Sequence, residues 1–387
     1  MAAPSAAELR EEFLLDSEVA FLNHGSFGAC PRPVFERYQA WQAELEREPV
    51  DFLDRRLSGL LDSSRAGLAD YVGCPPQDLA FVPNATTGVN LAARSLELRP
   101  GDEVLTTDLE YGACDRAWEW VCRRAGARYV RAPIALPLGD PDDLVEALFA
   151  SASERTRAVF VSHVASTTGL VLPVEEVVAR AGARGLVTIV DGAHAPAQVP
   201  VDLEALGADY FAGNAHKWLG APKGAGFLHV RPEHQDRVDA AIVGWGYEEG
   251  TAFTRRIESQ GTRDPAAWLT VPDAIGFQGE RDWDDVRDRC RGLARAARRE
   301  LCDLVGTEPL SPDSMVAQMA AVRLPRPTPG LSERLFTRHR IEIPVTRDAQ
   351  GDLLRLSVAA YTTRDEVDRL LAALARELDA EHRQEHE

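Results

Sequence analysis

Between residues 79 and 230, short apolar runs alternate with longer stretches of helical period. The runs are LAFV (79–82), EVLTT (103–107), ARYVRA (127–132), RAVFVSHV (157–164), LVTIVDG (186–192), DYFAGN (209–214) and GFLHV (226–230). CDRAWEWVCRRAG and VEEVVARAGARG stand between them as helices. Strands without polar alternation must be covered on both faces, and a helix between consecutive strands lets them run the same way. The alternation therefore predicts an α/β fold around a mainly parallel sheet.

At 387 residues the chain exceeds what one simple core holds, so a second, smaller domain is expected. The pattern changes near residue 270. A long charged helix, ERDWDDVRDRCRGLARAARRELCDLV, precedes strand-like AQMAAVRL and DLLRLSVAAY and a terminal helix, which reads as α+β. Residues 1–45 form an N-terminal segment expected to join the small domain. They hold an amphipathic piece, the turn-rich FLNHGSFGACPRP, and most of the acidic helix VFERYQAWQAELERE. Residues 46–268 are assigned to the large domain and 269–387 to the small one, with ELDAEHRQEHE as a solvated helix end.

A net charge of −18 disfavours nucleic acid and anionic membrane surfaces as partners. No apolar run reaches the roughly 18 residues that span a bilayer. MAAPSAAELREEF lacks the basic-then-apolar order of a signal peptide. Six cysteines, at 30, 74, 114, 122, 290 and 302, show no metal-ligand spacing. These features predict a cytoplasmic protein whose partners are small molecules or a second copy of itself.

Of 43 basic residues only two are lysine, and both fall in AGNAHKWLGAPKG (212–224). Arginine cannot be deprotonated and so cannot act as an amine nucleophile, which makes Lys217 and Lys223 candidates for amine chemistry. Asp191 closes the apolar run LVTIVDG, at the strand end where open α/β sheets bind ligands. A carboxylate buried there needs a cationic partner, such as a protonated pyridine nitrogen. PNATTGVN (83–90) links a strand to a helix, an arrangement that suits an anion; N-capping by Asn84 or Thr86 explains it equally well. Together, a Schiff-base lysine, a ring-nitrogen carboxylate and a phosphate cup point to pyridoxal 5'-phosphate.

In the order LNHGSFG, NATTG, SHVASTTGLVLP, DGAHAP, NAHKW, GTRD and RLSVAAY, the chain resembles the class V aminotransferase-like group of fold-type I pyridoxal phosphate enzymes. Its look is nearest the isopenicillin N epimerase-like and C–S lyase branch. The resemblance implies that Lys217 carries the cofactor, Asp191 keeps its ring nitrogen protonated, His194 reaches the ring hydroxyl and Tyr111 stacks on the ring. Ala85, Thr86 and Thr87 would cup the phosphate, with Ser166, Asn214 and His216 adding cofactor contacts. Thr262 would reach the phosphate of the other subunit in a homodimer that shares its active sites. Arg355 would clamp the carboxylate of a small amino-acid substrate, and His24 and Gly25, in the LNHGSFG turn, would also bind substrate. His24 lines the substrate entrance or bonds its own loop. Trp245 and Tyr247, in VGWGY, are candidate pocket walls, as are Arg55 and Arg56 for specificity. Lys223 becomes a surface or loop residue.

The segment FTRHRIEIPVTRDAQGD holds no cysteine, so a persulfide relay of the desulfurase kind is not expected. Three outcomes stay open. β-Elimination from a cysteine S-conjugate is preferred; epimerisation at Cα and decarboxylation or oxidative deamination of an S-conjugate are the alternatives. Secondary metabolism, such as antibiotic biosynthesis, is the expected setting.

Overall fold

A computed structural model describes residues 3–248 and 250–384, with side chains to residue 380. Residues 385–387, the tip of the acidic tail, lie outside the described residues. Among the described residues twelve strands form three sheets. The central sheet contains β2 (Leu79–Val82), β3 (Glu103–Thr107), β4 (Arg128–Ala132), β5 (Thr156–Ser162), β6 (Val187–Gly192), β7 (Tyr210–Asn214) and β8 (Gly226–Val230). Its order is β2-β8-β7-β6-β5-β3-β4, and β8 alone runs antiparallel to its neighbours.

Alternate side chains of each strand feed two cores, because successive residues of a strand point to opposite faces. In β5, Ala158 and Phe160 join the layer under helices Ala85–Ser95 and Gly112–Ala125. Val159 and Val161 join the larger core on the other side. That double burial is why these strands carry no polar alternation. At the β2 edge, Glu258 accepts the Phe81 N–H at 2.9 Å and pairs with buried Arg65 at 2.7 Å, so helix Phe253–Glu258 closes an otherwise open edge.

The C-terminal region builds a three-stranded antiparallel sheet from β9 (Met319–Arg323), β11 (Val345–Asp348) and β12 (Gly351–Ser357), in the order β11-β12-β9. Helix Trp283–Val305 packs on β9, and helix Arg364–Gln384 packs on Trp283–Val305 in turn. The N-terminal segment returns to this region: β1 (Ala20–Phe21) pairs parallel with β10 (Ile341–Glu342). Helix Val271–Gly279, by contrast, packs on helices Arg32–Arg47 and Leu57–Val72. Among the described residues no helix is long and apolar enough to cross a membrane.

Candidate active site

Parallel strands put their C-terminal ends on one edge of the sheet, and there a cleft of about 680 Å³ opens. Ser162 ends β5, Asp191 lies near the end of β6 in register with it, and Asn214 ends β7. All three line the cleft, together with His194, His216 and Lys217.

Lys217 is half-buried, and its Nζ lies 3.0 Å from His194 Nε2. The indole Trp218 Nε1 can only donate, and it points at His194 Nδ1 from 3.4 Å. A neutral His194 then carries its hydrogen on Nε2, and the Lys217 amine must accept it. It is the neutral form of the lysine that can accept this hydrogen. Burial pulls its pKa down to about 8, with Arg355 adding to the effect and Asp191 opposing it. Burial also holds His194 well below the ordinary histidine range.

The Asp191 carboxylate accepts the Ala193 N–H at 2.9 Å, and its second oxygen faces the Cys114 thiol at 3.4 Å. No cation pairs with it among the described residues. Burial raises its pKa, and the charge of Lys217 pulls the other way.

The helix start at Ala85 is tighter than the sequence suggests. Asn84 Oδ1 caps it by accepting the N–H of Thr87 at 2.9 Å and its hydroxyl at 3.1 Å. Asn214 Oδ1 takes the Ala85 N–H at 2.7 Å. Ala85, Thr86 and Asn84 line the cleft, and Thr87 stands next to them with its N–H and hydroxyl directed to the cap. Asn214 acts here by fixing Ala85. His216 lines the cleft and anchors its Nδ1 on the Ala225 carbonyl at 2.9 Å.

Tyr111 and Ser166 complete the wall, with Ser26 and Phe27 from the N-terminal turn. Arg355 is buried beside them. Its Nη1 donates to the Ser166 carbonyl at 2.5 Å, and its Nη2 donates to Asn23 Oδ1 and Ser26 Oγ at 3.2 and 2.9 Å. Its Nε has no partner. Burial lowers its pKa to about 10.

Several expectations are corrected. His24 neither lines the cleft nor bonds its own loop. It sits behind the lysine, its Nε2 3.1 Å from the Lys217 carbonyl and its Nδ1 2.8 Å from the Tyr361 hydroxyl. It borders a separate, largely apolar cavity of about 390 Å³ with Phe13 and Trp218, and burial drops its pKa to about 3. Gly25 is buried too, donating its N–H to Ser357 Oγ at 3.1 Å. Trp245 is 97% exposed and Tyr247 bonds Asp239, so neither walls this cleft. Arg55 and Arg56 pair with Asp51 and Glu44 on the surface. Thr262 is exposed and does not line the cleft of its own chain. Lys223 donates to the Gly28 carbonyl at 2.9 Å.

Sequence reading passed over Ser162, Cys114 and Glu110. Glu110 is buried between Thr107 and Ser162 hydroxyls, each 2.6 Å away. The available signal was an acidic residue placed directly before Tyr111 and just past the apolar run EVLTT.

The residues present fit pyridoxal phosphate. A buried carboxylate lacks a cation, as a pyridinium would supply. An amine has its pKa lowered toward neutrality, which favours attack on an aldehyde, and a helix start opens on the cleft.

The family model for aminotransferase class-V matches residues 32–370. Isopenicillin N epimerase from Amycolatopsis lactamdurans is 43% identical, over 97% of this chain and 99% of that protein. The enzyme of that name from Streptomyces clavuligerus is also 43% identical, over 97% and 98%. A putative L-cysteine desulfhydrase from Oryza sativa subsp. japonica is 29% identical, over 97% and 88%. Among solved structures, the apo cysteine desulfurase of Thermococcus onnurineus NA1 superposes with a TM-score of 0.85 at 20% identity, covering 98% of this chain and 100% of that one. C-DES with glycine covalently linked to its PLP cofactor gives 0.82 at 22% identity, covering 95% and 98%. With the fold, the cleft and these likenesses in agreement, the chain belongs to the class-V aminotransferase family.

Proposed function

We propose that this pyridoxal-phosphate enzyme is an epimerase that inverts the α-carbon of an amino-acid centre, with isopenicillin N as the first substrate to try. The observation that carries this reading is the 43% identity, over nearly the whole chain, to two proteins named isopenicillin N epimerase. It displaces the β-elimination preferred from sequence. Relatives named for cysteine desulfhydration support elimination as the second reading, at 29% identity.

Bound cofactor supplies an electron sink that acidifies the proton on the substrate α-carbon. The chain's residues do the rest. Lys217, its pKa lowered by burial, takes that proton or returns one at the same atom. Inversion needs a second proton donor on the opposite face. Tyr111 is the residue for it, since it lines the cleft and is 45% exposed, whereas His24 is shut away behind Lys217. Arg355 receives the substrate carboxylate through a fork already braced by Asn23, Ser26 and Ser166.

The working unit in this proposal is a homodimer. Ile242, Val243 and Trp245 are 50%, 70% and 97% exposed, an apolar run that a second copy would cover. Gly246 abuts Ser259 and the Arg255 carbonyl, so this run neighbours the loop that carries Thr262. That proximity supports the reading in which Thr262 reaches into a partner's cleft. None of the six cysteines is paired, which suits a reducing cytoplasm.

Incubation with isopenicillin N in deuterium oxide is the test. Deuterium entering the α-carbon with inversion and without pyruvate supports epimerisation. Pyruvate and a thiol from S-substituted cysteines, with no inversion, would replace it by the lyase reading.

A further inference from the structure

The turn that braces Arg355 carries one more side chain into the cleft, and the proposed chemistry leaves it without a task. Asn23 Oδ1 and Ser26 Oγ accept from Arg355 Nη2 at 3.2 and 2.9 Å, and Phe27 follows Ser26 directly. Phe27 lines the cleft but joins neither hydrophobic core. It is 71% exposed, and among the described large apolar residues only Trp245 is more so. The polar side chains that share the cleft are sheltered: Asp191, His194 and Asn214 are each 5% exposed or less. The cleft is thus polar and enclosed at its floor, with a bare aromatic ring at its mouth.

The backbone holds that ring where it is. Gly28, the next residue, adopts a φ of 72°. A Cβ there would run into the His216 carbonyl oxygen and come within 2.8 Å of Lys217 Cα, so the turn packs directly on the backbone of the lysine. The Gly28 N–H donates to the His24 carbonyl at 2.7 Å, and Lys223 donates to the Gly28 carbonyl at 2.9 Å. The second lysine of the chain therefore fastens this turn at one end, and Arg355 fastens it at the other. A phenyl ring fixed in water beside a binding cleft gains free energy when a ligand covers it.

We propose that Phe27 is a specificity-determining residue whose ring contacts the substrate side chain beyond the reacting carbon. The chain then takes amino acids whose side chains carry a bulky, partly apolar body, and discriminates against short ones. The physical basis is the spacing: the group that receives the substrate carboxylate is bonded to Ser26, one residue from the ring. This inference rests on the amino-acid substrate reading above, with Arg355 as the carboxylate anchor, and is independent of which bond at the α-carbon reacts.

The test uses the pyridoxal phosphate-loaded full-length enzyme and two probes, S-benzyl-L-cysteine and S-methyl-L-cysteine, which differ by one phenyl group. Dissociation constants come from the cofactor absorbance change in stopped flow, read before turnover. Wild type should bind the benzyl compound about tenfold or more tightly than the methyl one, the worth of covering an aromatic ring. In Phe27→Ala that ratio should fall to about 1–2, and in Phe27→Leu, which keeps a smaller apolar side chain, it should lie between. Lack of a benzyl preference in wild type overturns the proposal, and so does a ratio that both variants leave unchanged. An equal loss for both probes in Phe27→Ala, with altered sedimentation, assigns the ring to a subunit contact and overturns it too. Isopenicillin N run alongside separates the two readings. A Phe27-dependent benzyl preference without inversion of isopenicillin N sinks the epimerase assignment alone, whereas inversion with an unchanged ratio sinks the role of Phe27 alone.

Discussion

Lys217 is set up as a nucleophile by what it does not touch. No carboxylate bonds its amine, and His194 presents an N–H to it. The rate at which apoprotein captures pyridoxal phosphate should therefore rise about tenfold per pH unit below pH 8 and level off above it, as the neutral amine becomes the main form. Stopped-flow absorbance on the stripped protein measures this, and a flat rate from pH 6 to 9 would contradict a lowered lysine pKa. Lys217 and Asp191 were legible because their chemistry demands one residue type at one place in the strand–helix order. His24 was not, because whether a histidine faces a cleft or the back of a lysine depends on partners more than 190 positions away. Glu110 was hidden for a like reason: an acid after a strand is normally solvated, and only the packed neighbours reveal this one as buried.

At the level of elements, the cup helix Ala85–Ser95 is located by close contact as much as by its cap. A Cβ at Gly226 would fall 2.6 Å from Asn84 Cα and 2.9 Å from its C and N atoms. These are backbone atoms and cannot turn aside. Gly226→Ala should cost about 1–3 kcal/mol in stability and weaken cofactor binding as well, since Asn84 caps the helix on which the phosphate rests. Thermal unfolding and a pyridoxal phosphate titration read the two effects; a stable variant with unchanged affinity would show that the cap tolerates displacement. Strand positions came through from sequence to within a residue or two, because double burial writes an uninterrupted apolar run. The antiparallel direction of β8 did not come through. A five-residue buried strand reads the same in both directions, and its direction follows from the turn at residues 217–225.

For the molecule as a whole, the proposed homodimer makes a testable demand on exposed Ile242, Val243 and Trp245. Trp245→Arg should convert a dimer to a monomer in sedimentation velocity. It should also weaken phosphate affinity about ten- to hundredfold, the worth of one lost charge-assisted hydrogen bond from Thr262. A Trp245→Arg protein that still sediments as wild type would remove the basis for sharing sites between subunits.

His24 joins the Lys217 carbonyl to the Tyr361 hydroxyl, so residues 24, 217 and 361 meet at one point. A ribosome makes them in that order, with the last arriving long after β6 and β7, which lead to the lysine's turn, have been made. The socket behind the lysine therefore cannot set while the chain is still growing through its middle. Loading of the coenzyme into its final geometry has to follow synthesis of the C-terminal region.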